Sequence, residues 1–378
     1  MKFYIIAGEA SGDLHGSNLI KELKKKDPSA AIRCWGGDKM EAAGATLVKH
    51  YRELAFMGFT EVLKNLGTIL KNLKFCKKDI LQYRPDALVL VDYPGFNLPI
   101  AKWVKQQAPG IKVIYYISPQ VWAWKENRVK NIKKYVDKML VILPFEKEFY
   151  KKWNYDVEYV GHPLVEVIDE FKRSGIQYPV SGILRQPANT IALLPGSRKQ
   201  EILKKLPIML EVSKHFPTFQ FIVAKAPSLE NGFYTRLMAP YSNVSSVENK
   251  TYDLLTKSRA ALVTSGTATL ETALFAVPQV ICYKGNSVSY QIAKRLIKIK
   301  YIGLVNLIMD KEVVKELIQD ELTVDKLRFE LNELLTNSKK QEQLREDYAL
   351  LKEILSKGGH ASANAAGIIF NFLTGSPQ

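Results

Sequence analysis

The chain has 378 residues, of which 47% are hydrophobic and 24% are charged, and its formal net charge is +16. This composition excludes a disordered chain, and the length suits two domains of roughly 150–200 residues better than one. The basic surplus favours an anionic partner such as nucleic acid, an acidic membrane surface or a phosphorylated substrate, although a merely basic soluble surface also fits it.

The cysteines and the apolar runs point to a reduced, non-spanning protein. Cys34, Cys76 and Cys282 are far apart and lack metal-ligand spacing, so reduced thiols are expected rather than a disulfide framework or a zinc site. The apolar run at 3–7 is too short for a signal peptide, and no run of about 18 apolar residues predicts a transmembrane helix. We therefore expect a cytoplasmic protein that meets a membrane only from its surface.

Short apolar runs alternate with helical patterns in the first part of the chain. The runs at 3–7, 87–91, 112–117, 139–142 and 157–160 predict buried strands. Because helices separate these strands, crossover units and a parallel sheet are expected. The alternation weakens near residues 164–186 and then restarts, with strands predicted at 190–194, 219–224, 260–263 and 279–283.

We therefore predict an α/β fold with two Rossmann-like domains facing a central cleft. The first covers residues 1–170, the second covers 171–345, and helices over 346–378 return towards the first domain. In doubly wound sheets ligands bind beyond the carboxyl ends of the strands. The loops that follow strands are therefore the places to look for chemistry.

Two such loops in the first domain carry carboxylates. Residues 8–13 (GEASGD) lead from a strand into a helix, where glycine permits close backbone approach and the helix N–H groups favour an anion. Ser11 or Asp13 would equally well cap that helix, whereas Glu9 precedes the cap. Asp92 directly follows the strand 87–91. It fits a base for an attacking sugar hydroxyl, and it also fits a helix cap or an Asx-turn.

Two loops of the second domain have the composition of phosphate sites. In residues 194–198 (LPGSR), small residues expose backbone N–H groups and Arg198 adds a bidentate donor, unless it is simply solvated. In residues 264–271 (TSGTATLE), the small residues suit phosphate oxygens. Glu271 fits the ribose hydroxyls, or else is a favourable charge near a helix N-terminus.

Other residues suggest contacts with an acylated or phosphorylated substrate. Trp122 and Trp124 follow the strand 112–117 and fit either an apolar wall or ordinary core packing. Phe56 and Met57 precede a basic amphipathic helix whose apolar stripe is expected to pack on a sheet rather than on a membrane. Phe56 and Met57 themselves are predicted to touch lipid or an acyl chain. His15 would contact a substrate phosphate or fill a structural role.

Stretches along nearly the whole chain resemble, in the same order, those of the lipid-A-disaccharide synthase family. They are residues 7–13, 92 with 94 and 96–97, 118–119 with 121–124, 143–146, 161–162, 193–198, 265–271, 293–296 and 306–307. Each piece alone is weak, but the ordered combination is specific. The one departure is Gly95, where the family pattern Asp-x-Pro-Asp-Phe has a second acid. Asp92 is then the sole carboxylate of its loop, with Glu9 or Asp13 as substitutes for the missing acid.

The resemblance implies a GT-B fold and a metal-independent, inverting transfer without a cofactor. The implied donor is UDP-2,3-diacylglucosamine, and the implied acceptor is 2,3-diacylglucosamine 1-phosphate (lipid X). The products would be UDP and the β-1,6-linked disaccharide 1-phosphate of lipid A synthesis. Asp92 falls at the family's proposed catalytic carboxylate. Arg198, Glu271 and Asn306 fall at positions tied to UDP.

The residues and the resemblance together give a complete set of expected site residues. The catalytic ones are Asp92 and Glu9; the UDP-binding ones are Gly196, Ser197, Arg198, Ser265, Gly266, Thr267, Glu271 and Asn306; the acceptor-binding ones are Ser11, Asp13, His15, Phe56, Met57 and Trp122. No metal site and no nucleic-acid partner are expected. Peripheral contact with the anionic inner face of the inner membrane is expected, and a homodimer is compatible with the sequence.

Two rival functions fit part of the pattern. Another UDP-sugar enzyme of the same fold, either a different glycosyltransferase or a C2 epimerase, would share the loops of the second domain. A nucleic-acid-binding or membrane scaffold would use only the charge, but no RNA-binding signature accompanies it.

Overall fold

The computed structural model describes residues 1–54, 66–124, 126–174, 189–226, 229–285, 290 and 299–375, without the side chains of Leu66 and Trp124. The chain divides into two compact units. One consists of Met1–Pro163 with Leu355–Gln378, and the other of Leu164–Ile354. The predicted junctions, after residues 170 and 345, lie close to the unit boundaries after Pro163 and Ile354. The predicted domain bounds of 1–170, 171–345 and 346–378 stay a prediction.

The described part of the first unit has a parallel sheet of seven strands. They are β1 (Lys2–Ala7), β2 (Ala31–Gly36), β3 (Thr46–His50), β4 (Ala87–Val91), β5 (Lys112–Tyr116), β6 (Lys138–Val141) and β7 (Glu158–Tyr159). Their order is β3-β2-β1-β4-β5-β6-β7. The central strands are apolar and buried, as expected for a parallel sheet with helices on both faces.

The second unit repeats this architecture with six parallel strands. They are β8 (Thr190–Leu194), β9 (Gln220–Lys225), β10 (Val244–Glu248), β11 (Ala260–Thr264), β12 (Gln279–Tyr283) and β13 (Lys315–Ile318). The order β10-β9-β8-β11-β12-β13 again places the first and fourth strands side by side. This is the doubly wound pattern, with its switch point at that strand pair. The prediction of two Rossmann-like sheets is confirmed.

The helices are numbered here in chain order over the described residues. They are α1 (Ala10–Lys26), α2 (Asp38–Ala42), α3 (Leu66–Tyr83), α4 (Pro94–Gln107), α5 (Val121–Trp124), α6 (Arg128–Tyr135), α7 (Glu146–Lys151), α8 (Pro163–Ser174), α9 (Lys199–Ser213), α10 (Asn231–Met238), α11 (Thr251–Lys257), α12 (Thr267–Leu274), α13 (Leu304–Met309), α14 (Val324–Thr336), α15 (Ser338–Ser356) and α16 (Ala361–Thr374), with 3₁₀ turns at Tyr51–Glu53 and Gln319–Glu321. None of them is long and apolar enough to cross a membrane.

The C-terminal helix α16 completes the core of the first unit. Leu19 and Ile20 of α1 and Ala365 and Ile369 of α16 are fully buried in one cluster on one face of the sheet. The other face is covered by a second cluster that includes residues of α3 and α4. The first unit therefore needs both ends of the chain to bury its sheet.

Candidate active-site loops

Strand register brings the two carboxylate loops of the first unit together. Ala7, the last residue of β1, is paired with Val91 of β4, and Val91 is paired with Tyr116 of β5. The loops that begin at Gly8 and Asp92 therefore leave the same sheet edge from neighbouring strands. This edge is the switch point at which doubly wound sheets bind ligands.

The backbone around Asp92 is held in an uncommon conformation. Asp92 and Tyr93 have φ values of 44° and 50°, in the left-handed region that few non-glycine residues adopt. The Asp92 carbonyl accepts hydrogen bonds from Tyr115 Oη and Asn97 Nδ2, each at 2.6 Å. Its N–H donates to the Tyr116 carbonyl at 3.1 Å. Because its backbone polar groups are engaged in this way, the main chain of Asp92 is held in place.

The predicted catalytic carboxylates, Asp92 and Glu9, interact electrostatically. Burial raises the pKa of Asp92 to about 7, and the negative charge of Glu9 contributes to the rise, while a hydrogen bond from the Tyr93 N–H opposes it. A carboxylate that titrates near neutrality is suited to accept a proton at physiological pH. The structure thus brings together the two residues that the sequence analysis selected.

Tyr93, which the sequence analysis did not select, joins the two loops. A Cβ on Gly8 would lie 2.3 Å from the Tyr93 ring, so only glycine lets the ring pack over the first loop. Tyr93 Oη donates a hydrogen bond to the Leu54 carbonyl at 2.9 Å. The glycine at position 8 therefore serves an aromatic contact as well as the turn.

Asp13 and Ser11 occupy different environments in α1. Asp13 is 3% exposed, and its carboxylate accepts hydrogen bonds from the backbone N–H groups of Gly37, Lys39 and Met40 at 2.8–3.2 Å. It therefore caps the N-terminus of α2 rather than that of its own helix. Ser11 is exposed in the first turn of α1. Acceptor contacts of both residues stay predictions.

Replacing Asp13 with Ala is expected to lower the free energy of unfolding by about 2–3 kcal/mol, because three helix N–H groups lose a charged acceptor. Urea denaturation would measure the change. Asp38→Ala, which removes an exposed carboxylate of the same helix, is the control and should stay within about 0.5 kcal/mol of the parent. A stable Asp13→Ala variant that is slow only with acceptor would instead assign Asp13 to acceptor binding.

His15 lies in α1, shortly after the first loop, and is buried. Burial lowers its pKa to about 4, and its Nδ1 has no hydrogen-bond partner among the described residues. His162 is also buried, and its pKa is lowered to about 3 by burial and by the nearby His15. Both imidazoles are therefore neutral at physiological pH. A contact of His15 with a phosphate, which stays a prediction, would be a neutral hydrogen bond.

Trp122 is packed into the first unit by residues that the sequence analysis quoted without a role. Its ring is 9% exposed and meets the Phe145 ring edge-on at 5.0 Å. Its Nε1 donates to Glu146 Oε1 at 3.3 Å, while Glu146 Oε2 accepts from the N–H groups of Ile142 and Leu143. Burial raises the pKa of Glu146 to about 7. Most of the Trp122 ring surface is thus used in packing, and an acceptor contact stays a prediction.

The two predicted phosphate loops of the second unit also leave neighbouring strands. Leu194 of β8 is paired with Val263 of β11, so the loops beginning at Pro195 and Ser265 start side by side. Gly196 and Gly266 have φ values of 116° and 144°, which only glycine adopts without strain. Ser197, Arg198 and Thr267 are exposed on these loops. Backbone N–H groups and hydroxyls therefore meet at one sheet edge, as a diphosphate site requires.

Arg198, the residue before α9, forms an ion pair with a residue near the start of that helix. Its Nη1 lies 3.3 Å from Glu201 Oε1, one turn into α9. The guanidinium is 54% exposed, so a ligand could reach it without unfolding the loop. Arg198 is among the residues predicted from sequence, whereas Glu201 is not.

Ser265 and Glu271 are ordered by hydrogen bonds within the second unit. Ser265 Oγ donates to the Ile302 carbonyl at 2.9 Å, and Tyr252 Oη donates to Glu271 Oε1 at 2.9 Å. Burial raises the pKa of Glu271, and the bond from Tyr252 opposes the rise. Tyr252 thereby orients the carboxylate that the sequence analysis expected to hold ribose.

Asn306 is fully buried, and its amide is engaged by β13 and the residues before it. Its Oδ1 accepts from the N–H groups of Val313 and Val314, and its Nδ2 donates to Glu316 Oε1 at 2.9 Å. Glu316 also accepts from the Gly303 N–H at 3.0 Å. Asn306 thus fixes the segment around it, and a direct contact with UDP stays a prediction.

Some predicted features lie outside the described residues. They are Phe56 and Met57 of the predicted acyl contact and residues 293–296 of the family resemblance. Within the ranges that are described, no group of three or more His, Cys, Asp or Glu side chains is arranged to hold a metal ion.

The structure leaves room for an acidic side chain at position 95. Gly95 is exposed at the second position of α4, and a Cβ built there meets no atom within 4 Å. Gly95→Asp is expected to raise the free energy of unfolding by about 0.5–1 kcal/mol, because it removes a helical glycine and adds a negative charge at a helix N-terminus. Thermal denaturation would measure this. Lower stability would show that the loop requires glycine.

Two doubly wound parallel sheets, one in each unit, define the GT-B fold. UDP-GlcNAc 2-epimerase from Neisseria meningitidis, solved bound to UDP-GlcNAc, has a TM-score of 0.68 at 13% identity, covering 99% of this chain and 100% of that one. CalG4, the calicheamicin glycosyltransferase, has a TM-score of 0.61 at 17% identity, covering 99% and 98%. At these identities the similarity concerns the fold alone.

The family follows from sequence comparison. The family model described as lipid-A-disaccharide synthetase matches residues 3–369. The lipid-A-disaccharide synthase of Geobacter metallireducens is 40% identical over 378 residues, which cover 98% of this chain and 96% of that protein. The one from Coxiella burnetii is 37% identical over 374 residues, covering 98% of each. The chain therefore belongs to the lipid-A-disaccharide synthetase family, which confirms the resemblance seen in the sequence.

Proposed function

We propose that the protein joins UDP-2,3-diacylglucosamine to 2,3-diacylglucosamine 1-phosphate, releasing UDP and the β-1,6-linked disaccharide 1-phosphate of lipid A biosynthesis. Family membership over nearly the whole chain supports this reaction. The structural observation that carries the mechanism is the pair Asp92 and Glu9 at the switch point of the first sheet.

Asp92 is the proposed general base. The acceptor 6-hydroxyl attacks the anomeric carbon of the donor from the face opposite UDP, and Asp92 takes the hydroxyl proton. A new C–O bond forms as the bond to the diphosphate breaks, and the bonding electrons leave with UDP, so one displacement inverts the anomeric centre. The near-neutral pKa of Asp92 supports this role. The negative charge of Glu9 contributes to the raised pKa of Asp92.

The second unit is the proposed donor site. Gly196, Ser197, Ser265, Gly266 and Thr267 would present backbone N–H groups and hydroxyls to the diphosphate. Arg198 would neutralise the charge that develops on the leaving group. Glu271, oriented by Tyr252, would accept hydrogen bonds from the ribose hydroxyls. Asn306 would hold the segment beside Ser265 in place through Glu316.

The first unit is the proposed acceptor site, and its surface the proposed membrane contact. Ser11, Asp13, His15 and Trp122 lie on or near the loops at the carboxyl edge of its sheet, and Phe56 and Met57 would contact acyl chains. Helix α3 exposes the apolar side chains Leu70, Phe75 and Leu81 beside Lys71, Lys74 and Lys78. Such a surface supports peripheral binding to an anionic membrane, proposed here as the inner face of the inner membrane. A homodimer is part of the same proposal.

Product analysis tests the function. Purified protein with radiolabelled lipid X and UDP-2,3-diacylglucosamine should form one labelled disaccharide 1-phosphate on thin-layer separation, in equal amounts with and without a chelator. UDP-GlcNAc in place of the acylated donor should give no product. If the folded protein bound UDP yet formed no disaccharide, or released the C2 epimer of UDP-GlcNAc, the proposed reaction would be wrong.

A further inference from the structure

A buried lysine lies between the two phosphate loops of the second unit. Lys205, in the second turn of α9, is 2% exposed, and its ammonium donates a hydrogen bond to Oγ1 of Thr264, the last residue of β11. A Cβ on Gly196 would lie 3.6 Å from the Lys205 nitrogen. The ammonium therefore sits directly beside the loop proposed to hold the diphosphate, and next to the strand end from which the second phosphate loop starts.

Stability does not explain a cation at this position. An ammonium offers three donors, and within the described part of the chain Lys205 makes one hydrogen bond, to Thr264. Among the described residues, the nearest carboxylate oxygen is Glu201 Oε2, which is 3.8 Å away and beyond hydrogen-bond range. Burial lowers the pKa of Lys205, so its charge is costly here. An apolar side chain of the same length would serve the fold at least as well.

The same carboxylate is shared by two cations. Glu201 Oε1 is 3.3 Å from Arg198 and its Oε2 is 3.8 Å from Lys205, while the Glu201 side chain is 38% exposed. Both cations therefore face the same carboxylate, which has an open path to solvent. The diphosphate of a UDP-sugar carries two negative charges, enough to pair with both cations once Glu201 has moved aside.

We propose that Lys205 is a second cation of the diphosphate site and that Glu201 is a counter-ion that the diphosphate displaces. This inference rests on the proposed donor site and deepens it. With Arg198 it places two positive charges beside the Gly196 loop, where the leaving group gains charge as the sugar is transferred. Release of UDP is assisted in turn when Glu201 returns to the two cations.

The test compares ligands with and without phosphates on the full chain. Lys205→Met keeps the length of the side chain and removes the charge, and Lys204→Met, an exposed neighbour on the same helix, is the matched control. Titration calorimetry should show that Lys205→Met binds UDP roughly 10- to 100-fold more weakly, the range for one lost charge-assisted hydrogen bond. Uridine affinity, followed by ligand-observed NMR, should be unchanged, and Lys204→Met should match the parent for both ligands.

Glu201→Gln tests the counter-ion independently of how well a core variant folds. It should bind UDP several-fold more tightly, with uridine unchanged, because the competing carboxylate is gone. Parent-like UDP affinity in a folded Lys205→Met variant, or in Glu201→Gln, would overturn the inference. So would an equal loss of UDP and uridine affinity in Lys205→Met, which would indicate a structural role. Failure of the parent protein to bind UDP would instead overturn the proposed donor site.

Discussion

Replacing Asp92 with Asn is expected to lower kcat by roughly 10²- to 10⁴-fold, the contribution of a positioned general base. The amide has nearly the shape of the carboxylate but accepts no proton from the 6-hydroxyl. Asn also tolerates the left-handed backbone that Asp92 adopts, so the loop should keep its conformation. Initial rates of disaccharide formation, with thermal denaturation alongside, measure both effects.

The pH–rate profile adds a second test of the same residue. Because Asp92 acts only when ionised and its pKa is about 7, activity should fall as the pH drops through 7. Glu9→Gln removes a negative charge that favours the protonated form, so its acidic limb should move to lower pH. Asp156→Asn, an exposed carboxylate in the same unit, should leave both rate and profile unchanged. A fully active Asp92→Asn variant would require another base.

Arg198→Ala is expected to reduce kcat/KM by roughly 10²- to 10³-fold, the usual loss when a donor to the developing charge is removed. UDP should also inhibit the variant more weakly than the parent. Arg198→Lys should recover only part of the activity, because an ammonium cannot form the bidentate contact of a guanidinium. Steady-state rates with UDP as product inhibitor measure these changes.

A change in stability should not account for the lower kcat/KM of Arg198→Ala. Arg198 is mostly exposed and forms a surface ion pair with Glu201, so the free energy of unfolding should change by less than about 1 kcal/mol. Arg236→Ala removes an exposed arginine of the same unit and should behave like the parent. If Arg198→Ala were as active as that control, the leaving group would have to be stabilised elsewhere in the second unit.

Most interior strands of both sheets and the edge strand β7 could be predicted from sequence, whereas the interior strand β2 and the edge strands β3, β10 and β13 could not. β1, β4, β5, β8 and β11 are nearly continuous apolar runs because helices cover both of their faces. β3, β10 and β13 lie at sheet edges, and β3 and β10 are largely half-exposed and mix polar with apolar residues. Such segments carry no apolar run for a pattern search to detect.

Some residues of the candidate site can be recognised from the sequence around them, and others only from their contacts with distant residues. Asp92, Arg198 and Glu271 could be selected because each follows a strand or opens a helix in its own sequence. Glu146 and Lys205 could not, since their importance comes from partners far along the chain: Trp122 for one and Thr264 for the other. In an amphipathic helix, Lys205 has the pattern of a solvated surface residue.

The return of α16 to the first unit has a consequence for synthesis of the chain. The seven described strands of that sheet are made within the first 163 residues, yet α16, which buries Leu19 and Ile20 with Ala365 and Ile369, is made only after the second unit. At roughly 5–20 residues per second, the intervening residues of the second unit take about 10–40 s to translate. During that interval the first unit has emerged from the ribosome with one apolar helix face uncovered. The second unit can finish folding before the first unit does. A nascent chain stalled before residue 361 should therefore be bound by chaperones through its N-terminal rather than its central part.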